Sequence, residues 1–341
     1  MDLSIVIPVY NGQDCIRRSL DSILSLHMPS QSLEVIVVDD CSTDNTRAVL
    51  EDYAGRYEQI DYICLPVNKK PGGARNAGIR QAKGKYIMFL DSDDTAEQGL
   101  PEALSYAMDQ GVDMLLCHRY DQRTFKGSFK DVRIDMPWHQ PFSGRVFLDK
   151  FYVVDTMGSC SSYLYKRSFL DGLGHPFEEG LYFEDVDWVE HVLFFCPVIE
   201  YDTSIIFSYY SNPGSVLHTM NITKEADVVL YCCRRMAFAY SVRDDAPRFY
   251  KNSLSHQGWI ASIIKFRHLT TFDRQSVQFF YNRIRERQGF SWLRQLEWNG
   301  FAKLFVFHPK LALALIDLCR PPLRAGRGLV QSIRKRRNRQ R

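Results

Sequence analysis

The first 120 residues alternate between two hydrophobic patterns. Continuous apolar segments rich in β-branched residues are typical of strands buried on both faces, and they predict strands at 3–9, 33–38, 60–65, 85–90 and 112–117. Apolar positions with helical spacing predict intervening helices at 14–26, 43–57, 74–82 and 97–108. We expect Ser42 or Thr43 to cap the second helix. Strand–helix alternation with short connections predicts a mainly parallel α/β sheet flanked by helices.

Polar clusters lie where three of these predicted strands end. They occupy residues 8–12, 39–42 and 91–94. Ligands bind at the carboxyl ends of strands in sheets of this kind, so the three clusters predict one shared site.

The acidic residues of two clusters have chemistry suited to a nucleotide and a metal. Asp91 and Asp93, with Ser92 between them, offer the hard oxygen ligands that Mn²⁺ or Mg²⁺ prefers, and pyrophosphate oxygens would complete the shell. A carboxylate of Asp39 or Asp40 can accept a hydrogen bond from a nucleobase N–H. The alternative for both clusters is a turn or a helix cap.

Three later features are further candidates for the site. Backbone N–H groups of the glycine-rich segment 68–78 and its Arg75 could meet a diphosphate, and the alternative is a plain loop. Asp185 follows aromatic residues and could act as a general base with a raised pKa, or could simply start a helix. His218 is a candidate metal ligand or phosphate contact, although a lone histidine often has a structural role.

Beyond residue 120 the hydrophobic pattern becomes less regular. We predict a catalytic domain at 1–222, with a nucleotide-binding half at 1–118 and an acceptor half at 119–222. Helical periods then predict an extension at 223–319, and the tail 320–341 is rich in Lys and Arg without any acidic residue. The extension has aromatic residues from 297 onward, so we expect it to lie on an anionic membrane surface or, alternatively, to pack on the catalytic domain.

Composition narrows the class of protein. The 341 residues are 45% hydrophobic, which suits a sizeable core, and the net charge of +3 alone indicates no partner. Nine cysteines without metal-ligand spacing, and the lack of a signal peptide pattern, favour reduced thiols in the cytoplasm. The sequence has no uninterrupted apolar stretch of about 18 residues, so we expect no membrane-spanning helix. The basic tail accompanies no nucleic-acid recognition fold, so we expect no nucleic-acid partner.

Several motifs, taken in order, resemble the family-2 glycosyltransferases of the GT-A fold, of the kind that build bacterial surface polysaccharide or lipopolysaccharide. The matching segments are 5–11, 37–44, 73–78, 84–94 and 183–187. They cover about the first 220 residues. The one local departure is Cys41, where the family usually has glycine.

The resemblance implies a role for each matching residue. Roles in nucleotide-sugar binding fall to Pro8, Tyr10, Asp39, Asp40, Asn68, Arg75, Asp91 and Ser92. Asp93, with Asp91, would bind Mn²⁺ or Mg²⁺, and Asp185 would be the catalytic base.

The resemblance also implies a reaction, the inverting transfer of a sugar to a hydroxyl of a glycan or lipid-linked acceptor. The implied donor is a UDP-sugar, because Asp40 would match the uracil edge. The enzyme would be cytoplasmic or peripheral on the inner face of the cell membrane.

Two other functions are open at this point. Residues 91–95 also fit the nucleophile motif of haloacid-dehalogenase-type phosphatases, with Asp91 as nucleophile, although three predicted strands precede it. A degenerate, non-catalytic transferase acting as a membrane-bound scaffold is the other alternative. The intact carboxylates of Asp91, Asp93 and Asp185 argue against the scaffold.

Overall fold

A computed structural model describes residues 1–121, 130–131, 136–210, 219 and 221–253. These residues belong to one compact unit, Met1–Phe266. The predictions for His218, for most of the helical extension and for the basic tail lie outside the described residues. So does the predicted membrane-binding segment. Within the described part of the chain, no helix is both long and apolar enough to cross a membrane.

The described residues form nine strands and nine α-helices. In chain order these are β1 (Leu3–Val9), α1 (Ile16–Leu24), β2 (Leu33–Asp39), α2 (Thr46–Arg56), β3 (Ile60–Cys64), α3 (Lys70–Gln81), β4 (Tyr86–Phe89), β5 (Thr95–Ala96), α4 (Leu100–Gln110), β6 (Met114–Asp121), β7 (Lys130–Asp131), α5 (Gly144–Lys150), α6 (Val154–Met157), β8 (Tyr163–Lys166), α7 (Arg167–Leu173), α8 (Asp185–Phe195), β9 (Ile199–Tyr209) and α9 (Ile222–Ser241).

A single sheet orders these strands as β3-β2-β1-β4-β8-β6-β9-β5, with β7 paired to β6. The first four strands in this order, β3, β2, β1 and β4, are parallel, as the alternating pattern predicted. Strand β8 then runs antiparallel to both β4 and β6, and β5 runs antiparallel to β9. The predicted α/β class is therefore confirmed, and of its antiparallel strands β8 comes from the part of the chain with the less regular pattern, whereas the short β5 comes from the regular part.

Helices cover both faces of the sheet. Strand β1 shows why its sequence is almost entirely apolar: Ile5 and Ile7 pack into one core with α1, α2 and α4, while Val6 packs into the other core with α3 and α8. All seven residues of β1 are buried, and the one polar side chain among them, Ser4, donates a hydrogen bond to Glu34. A strand covered on both faces favours apolar side chains at nearly every position.

Three predicted helix starts are wrong. Helix α4 begins at Leu100, three residues after the predicted start. Helix α2 begins at Thr46 with Asn45 as its N-cap, and Ser42 and Thr43 instead bond to the loop after β1 through Asn11. Helix α3 begins at Lys70, four residues before the predicted start. Pro71 suits a first helical turn, because the N–H group that it lacks would have no partner inside the helix.

Helix α3 lies directly against β1 because it contains Gly78. A Cβ atom at this position would come within 2.3 Å of Val6 Cγ1, whereas a Cβ at Gly55 on α2 would meet nothing within 4 Å. The two glycines therefore offer opposite tests of helix packing.

We expect Gly78→Ala to lower the free energy of unfolding by about 1–3 kcal/mol, since the added methyl overpacks a buried contact. Gly55→Ala should instead raise it by up to about 1 kcal/mol through helix propensity. Urea unfolding of the full chain, followed by circular dichroism, measures both. A Gly78→Ala variant as stable as the parent would contradict this packing of α3 on β1.

Candidate active site

The loops after β1 and β2 are joined by Asn11. Its backbone N–H donates to Ser42 Oγ at 2.8 Å, and its side-chain Oδ1 accepts from the Thr43 N–H at 2.8 Å. Asn11 has φ of 50°, a left-handed conformation that asparagine tolerates better than most residues. Tyr10, beside it, is half exposed and Pro8 lies near the end of β1, so both stand at the predicted edge of the sheet.

Asp39 and Asp40 are both buried, and their carboxylates organise loops. Asp39 Oδ1 accepts from the Ser42 N–H at 3.0 Å, and Asp40 Oδ1 accepts from the Lys69 N–H at 2.6 Å. Asn68 Nδ2 donates to the Asp40 carbonyl at 3.0 Å. Burial raises the pKa of Asp40 to about 6, against the lowering effect of the backbone N–H groups of Lys69 and Lys70. These contacts hold the end of β2 against the start of α3.

Arg75 is a buried cation between two carboxylates. It donates through Nη2 to Asp91 Oδ1 at 2.7 Å and through Nη1 to Glu184 Oε1, while its guanidinium lies 5.5 Å from the centre of the Phe177 ring. Its side chain is only 4% exposed. Arg75 thus connects helix α3, the end of β4 and the start of α8. Its predicted contact with a diphosphate stays a prediction.

Helix α8 begins with two carboxyl groups of raised pKa. Burial raises the pKa of Glu184 to about 7 and that of Asp185 to about 6, and in both cases the nearby Arg75 charge works in the opposite direction. Phe183 reaches this helix start with φ of 63°. Backbone strain of this kind persists where surrounding contacts hold it. The two acids therefore occupy a fixed position in which a proton can be taken up near neutral pH.

The turn that enters α8 is also attached to α3. Asn76 Nδ2 donates to the Phe177 carbonyl and Asn76 Oδ1 accepts from the Phe177 N–H, each at 2.9 Å. A Cβ atom at Gly72 would lie 2.4 Å from the Glu178 carbonyl oxygen, so only glycine lets the two backbones come this close.

Acidic residues crowd the turn after β4. Asp94 is buried and accepts a 2.9 Å hydrogen bond from the Tyr210 N–H, and burial together with the charges of Asp91 and Asp93 raises its pKa. Arg18 donates to the Asp93 carbonyl at 2.5 Å. Ser92 lies on the same turn, close to the loop at Gly12.

The carboxylates of Asp91 and Asp93 suit a divalent cation that the protein and a substrate would coordinate together. Within the described ranges, no group of three or more His, Cys, Asp or Glu residues is arranged to hold a metal. Asp91 and Asp93 are both partly exposed, and Asp91 raises the pKa of Asp94 together with Asp93. A cation there would relieve this repulsion, and diphosphate oxygens and water would supply its other ligands.

The predicted site residues fall into two connected groups. Asp40 is linked to Asn68, and Arg75 to Asp91 and to Glu184, the neighbour of Asp185, whereas His218 lies outside the described residues. Neither Asp39 nor Asp40 caps α2, whose N-cap is Asn45, but Asp39 does accept from the Ser42 N–H within the turn after β2.

Sequence reasoning missed two residues that organise the site. Glu184 belonged to a recognised acidic pair, but nothing local in the sequence shows that it meets Arg75, 109 residues earlier. Asn11 carried a usable signal, since asparagine after a strand commonly adopts a left-handed turn.

Comparison with known proteins places this arrangement in a family. Residues 4–173, about half the chain, match the sequence model described as Glycosyl transferase family 2. The poly(ribitol-phosphate) beta-glucosyltransferase of Bacillus spizizenii is 48% identical over 95 residues, which cover 28% of this chain and 15% of that protein. The putative teichuronic acid biosynthesis glycosyltransferase TuaG of Bacillus subtilis is 38% identical over 109 residues, covering 32% of this chain and 42% of TuaG.

A solved structure shows the same fold. The crystal structure of S. aureus TarS 1–349 in complex with UDP-GlcNAc superposes with a TM-score of 0.66 at 20% identity, covering 84% of this chain and 80% of that one. The predicted GT-A fold is confirmed by this match. The aligned segments of the two Bacillus proteins are less than half of each, so this chain matches only part of either.

The Arg75 contacts generate a stability prediction. Arg75→Met leaves the buried Glu184 carboxylate without its cation, and breaking a buried pair in this way costs about 3–5 kcal/mol of unfolding free energy. Adding Glu184→Gln removes the uncompensated charge, so the double variant should recover part of that loss.

Urea unfolding of the parent, both single variants and the double variant measures this coupling. Arg47→Met, which removes the exposed pair with Glu51, is the matched control and should change stability little. Strict additivity of the two single changes would show that Arg75 and Glu184 do not interact energetically.

Proposed function

Because residues 4–173 make this chain a member of glycosyl transferase family 2, we propose that it is an inverting glycosyltransferase acting in surface polysaccharide biosynthesis. It moves a sugar from a nucleotide donor, most simply a UDP-sugar, to a hydroxyl of a glycan or lipid-linked acceptor in the cytoplasm. The observation that carries the proposal is the Arg75 bridge, which sets the Glu184–Asp185 acids beside the carboxylate turn at Asp91.

The donor nucleotide occupies the edge formed by the loops after β1 and β2. Asp40 accepts from the base N–H of uracil, Tyr10 packs against the base, and Asn68 keeps the Asp40 loop in place through its carbonyl. Pro8 and Asp39 shape the floor of the pocket. The complex of S. aureus TarS with UDP-GlcNAc supports this choice of donor.

The diphosphate lies at the turn after β4, where Asp91 and Asp93 would hold Mn²⁺ or Mg²⁺ and Ser92 contacts the donor. The metal, when bound, offsets the negative charge that builds on the departing diphosphate. Arg75 keeps the Asp91 carboxylate in position, and the positive charge of Arg75 lies close to the donor.

Asp185 is the general base. It accepts the proton of the acceptor hydroxyl while that oxygen attacks the anomeric carbon, and the bond from this carbon to the diphosphate oxygen breaks on the opposite side. Displacement in one step inverts the configuration of the sugar. Burial raises the pKa of Asp185 to about 6, which makes it a stronger base than an ordinary aspartate while leaving it ionised at neutral pH.

The relatives support an acceptor that is a cell-surface polymer. One acts, by its name, on poly(ribitol-phosphate) and the other in teichuronic acid biosynthesis, and both names denote anionic polymers. We infer an anionic acceptor for this chain as well. The phosphatase alternative fits less well, because Asp91 accepts a hydrogen bond from Arg75 and the chain belongs to a transferase family.

Substitutions at Asp93 and Asp185 should separate donor binding from chemistry. Asp93→Ala should weaken Mn²⁺-dependent UDP binding at least tenfold, which corresponds to about 1.4 kcal/mol. Asp185→Asn should bind UDP within twofold of the parent and lose turnover by about 10²-fold or more.

Calorimetry with UDP and Mn²⁺ measures the first effect, and release of UDP from a panel of UDP-, GDP- and dTDP-sugars measures the second. Asp109→Asn, on the exposed side of α4, serves as a control that should behave like the parent. Normal turnover by Asp185→Asn would remove Asp185 from the role of base.

The raised pKa of Asp185 gives a pH dependence. The base must be deprotonated to act, so kcat at saturating donor should fall as pH drops through about 6 and level off above it. Measuring kcat rather than kcat/KM separates this effect from protonation of Asp40 in the free enzyme, whose pKa is also about 6. A flat profile between pH 5 and about pH 8 would contradict general-base catalysis by this residue.

A further inference from the structure

Tyr182 lies between two lysine side chains that the proposed reaction does not use. Lys70, from the first turn of α3, donates to Tyr182 Oη at 3.0 Å, and its ammonium lies 4.7 Å from the centre of the ring. Lys224, near the start of α9, places its ammonium 5.3 Å from the same ring centre. Two cations therefore share one aromatic side chain, although they repel one another.

These two charges are not balanced by carboxylates among the residues that the structure describes. Neither ammonium has an Asp or Glu oxygen within 4.0 Å there, whereas the adjacent Lys69 pairs with Glu179 at 3.0 Å. Lys224 donates instead to the Thr219 carbonyl at 2.9 Å. Burial, and then the charge of Lys70, lower the pKa of Lys224. A buried cation beside a like charge is costly, and an arriving anion would remove that cost.

The lysine pair contacts the turn that leads into the helix carrying the proposed base Asp185. Tyr182 stands three residues before Asp185, and its backbone N–H is held by Asp227 Oδ2 at 3.1 Å. The charge of Lys70 opposes the rise that burial causes in the pKa of Asp40, so this lysine is within electrostatic reach of the proposed nucleotide pocket. An anion bound by Lys70 and Lys224 would be close to the proposed catalytic base Asp185 while the donor diphosphate occupies the turn at Asp91.

We propose that Lys70 and Lys224 form a phosphate-binding subsite for the acceptor, which takes a phosphodiester of the acceptor chain and thereby places a neighbouring hydroxyl at Asp185. This subsite rests on the proposed function. Both lysines donate to the phosphate oxygens, and both ammonium groups lie against the ring of Tyr182. Because phosphate also occurs in the donor, the test must separate the two sources.

The experiment measures binding of a short ribitol-phosphate oligomer to the full-length protein at physiological salt, with UDP and Mn²⁺ at saturation. Filled with UDP, the donor pocket cannot take the oligomer's phosphates. We expect Lys70→Met and Lys224→Met each to raise the oligomer Kd about tenfold, as for the loss of one charge-assisted contact, and to change the UDP Kd less than about twofold. Methionine keeps the apolar stem that Lys224 buries.

Three controls accompany these variants. Lys83→Met removes an exposed lysine before β4 at the opposite edge of the sheet and should leave both Kd values unchanged. The methyl-phosphotriester analogue of the oligomer has the same length without charge, so it should bind weakly and equally to all variants. The basic tail 320–341 is present in every variant, and ratios to the parent therefore report the lysine pair alone.

The outcomes separate this subsite from the proposed function. An unchanged oligomer Kd in both variants, with normal UDP binding, would overturn the subsite and leave the transferase intact. A rise in the UDP Kd with no effect on the oligomer would assign the lysines to the donor diphosphate and also overturn it. Failure of the parent to bind UDP at all would instead contradict the proposed function. If Lys224→Met does not fold, Lys70→Met, whose side chain is only half buried, decides alone.

Discussion

A buried guanidinium must be matched by buried or partly buried carboxylates, and in this protein that requirement fixes the centre of the site. Arg75 of α3 meets Asp91, which follows the neighbouring strand β4, and Glu184 at the start of α8, 109 residues later. Moving any one of them would leave a charge without compensation in a region of low dielectric. The other contacts of the site, from Asp40 to Asp185, are arranged around this fixed point.

The local pattern of hydrophobic residues predicted much of the fold. Each of the five predicted strands exists within a few residues of its expected position, because a strand buried on both faces admits few polar residues. The start of α3 was missed because Pro71 and two glycines are usually signs of a loop, and here they form its first turn. Tertiary packing against β1 and Glu178 outweighed their low helix propensity.

Contacts across long stretches of sequence were beyond such patterns. The motif residues Asp40, Asp91 and Asp185 could be picked out individually, since each carries a carboxylate after a strand or at a helix start. The pairing of Arg75 with Glu184 could not be predicted, because the two residues are 109 positions apart and no periodicity links them. The position of β8 between β4 and β6 was equally hidden, since antiparallel insertion leaves no signal in either neighbouring strand.

The clamp between Asn76 and the Phe177 backbone has a consequence for how such enzymes can diversify. It joins α3, in the proposed nucleotide-binding half, to the turn that precedes the proposed base Asp185, and Gly72 leaves no space for adjustment between them. Recombination that exchanged only the later half would bring in a foreign turn against an unchanged α3. Viable hybrids should therefore inherit α3 together with the 177–184 turn. These two segments would be exchanged together during evolution, although they are separated in sequence.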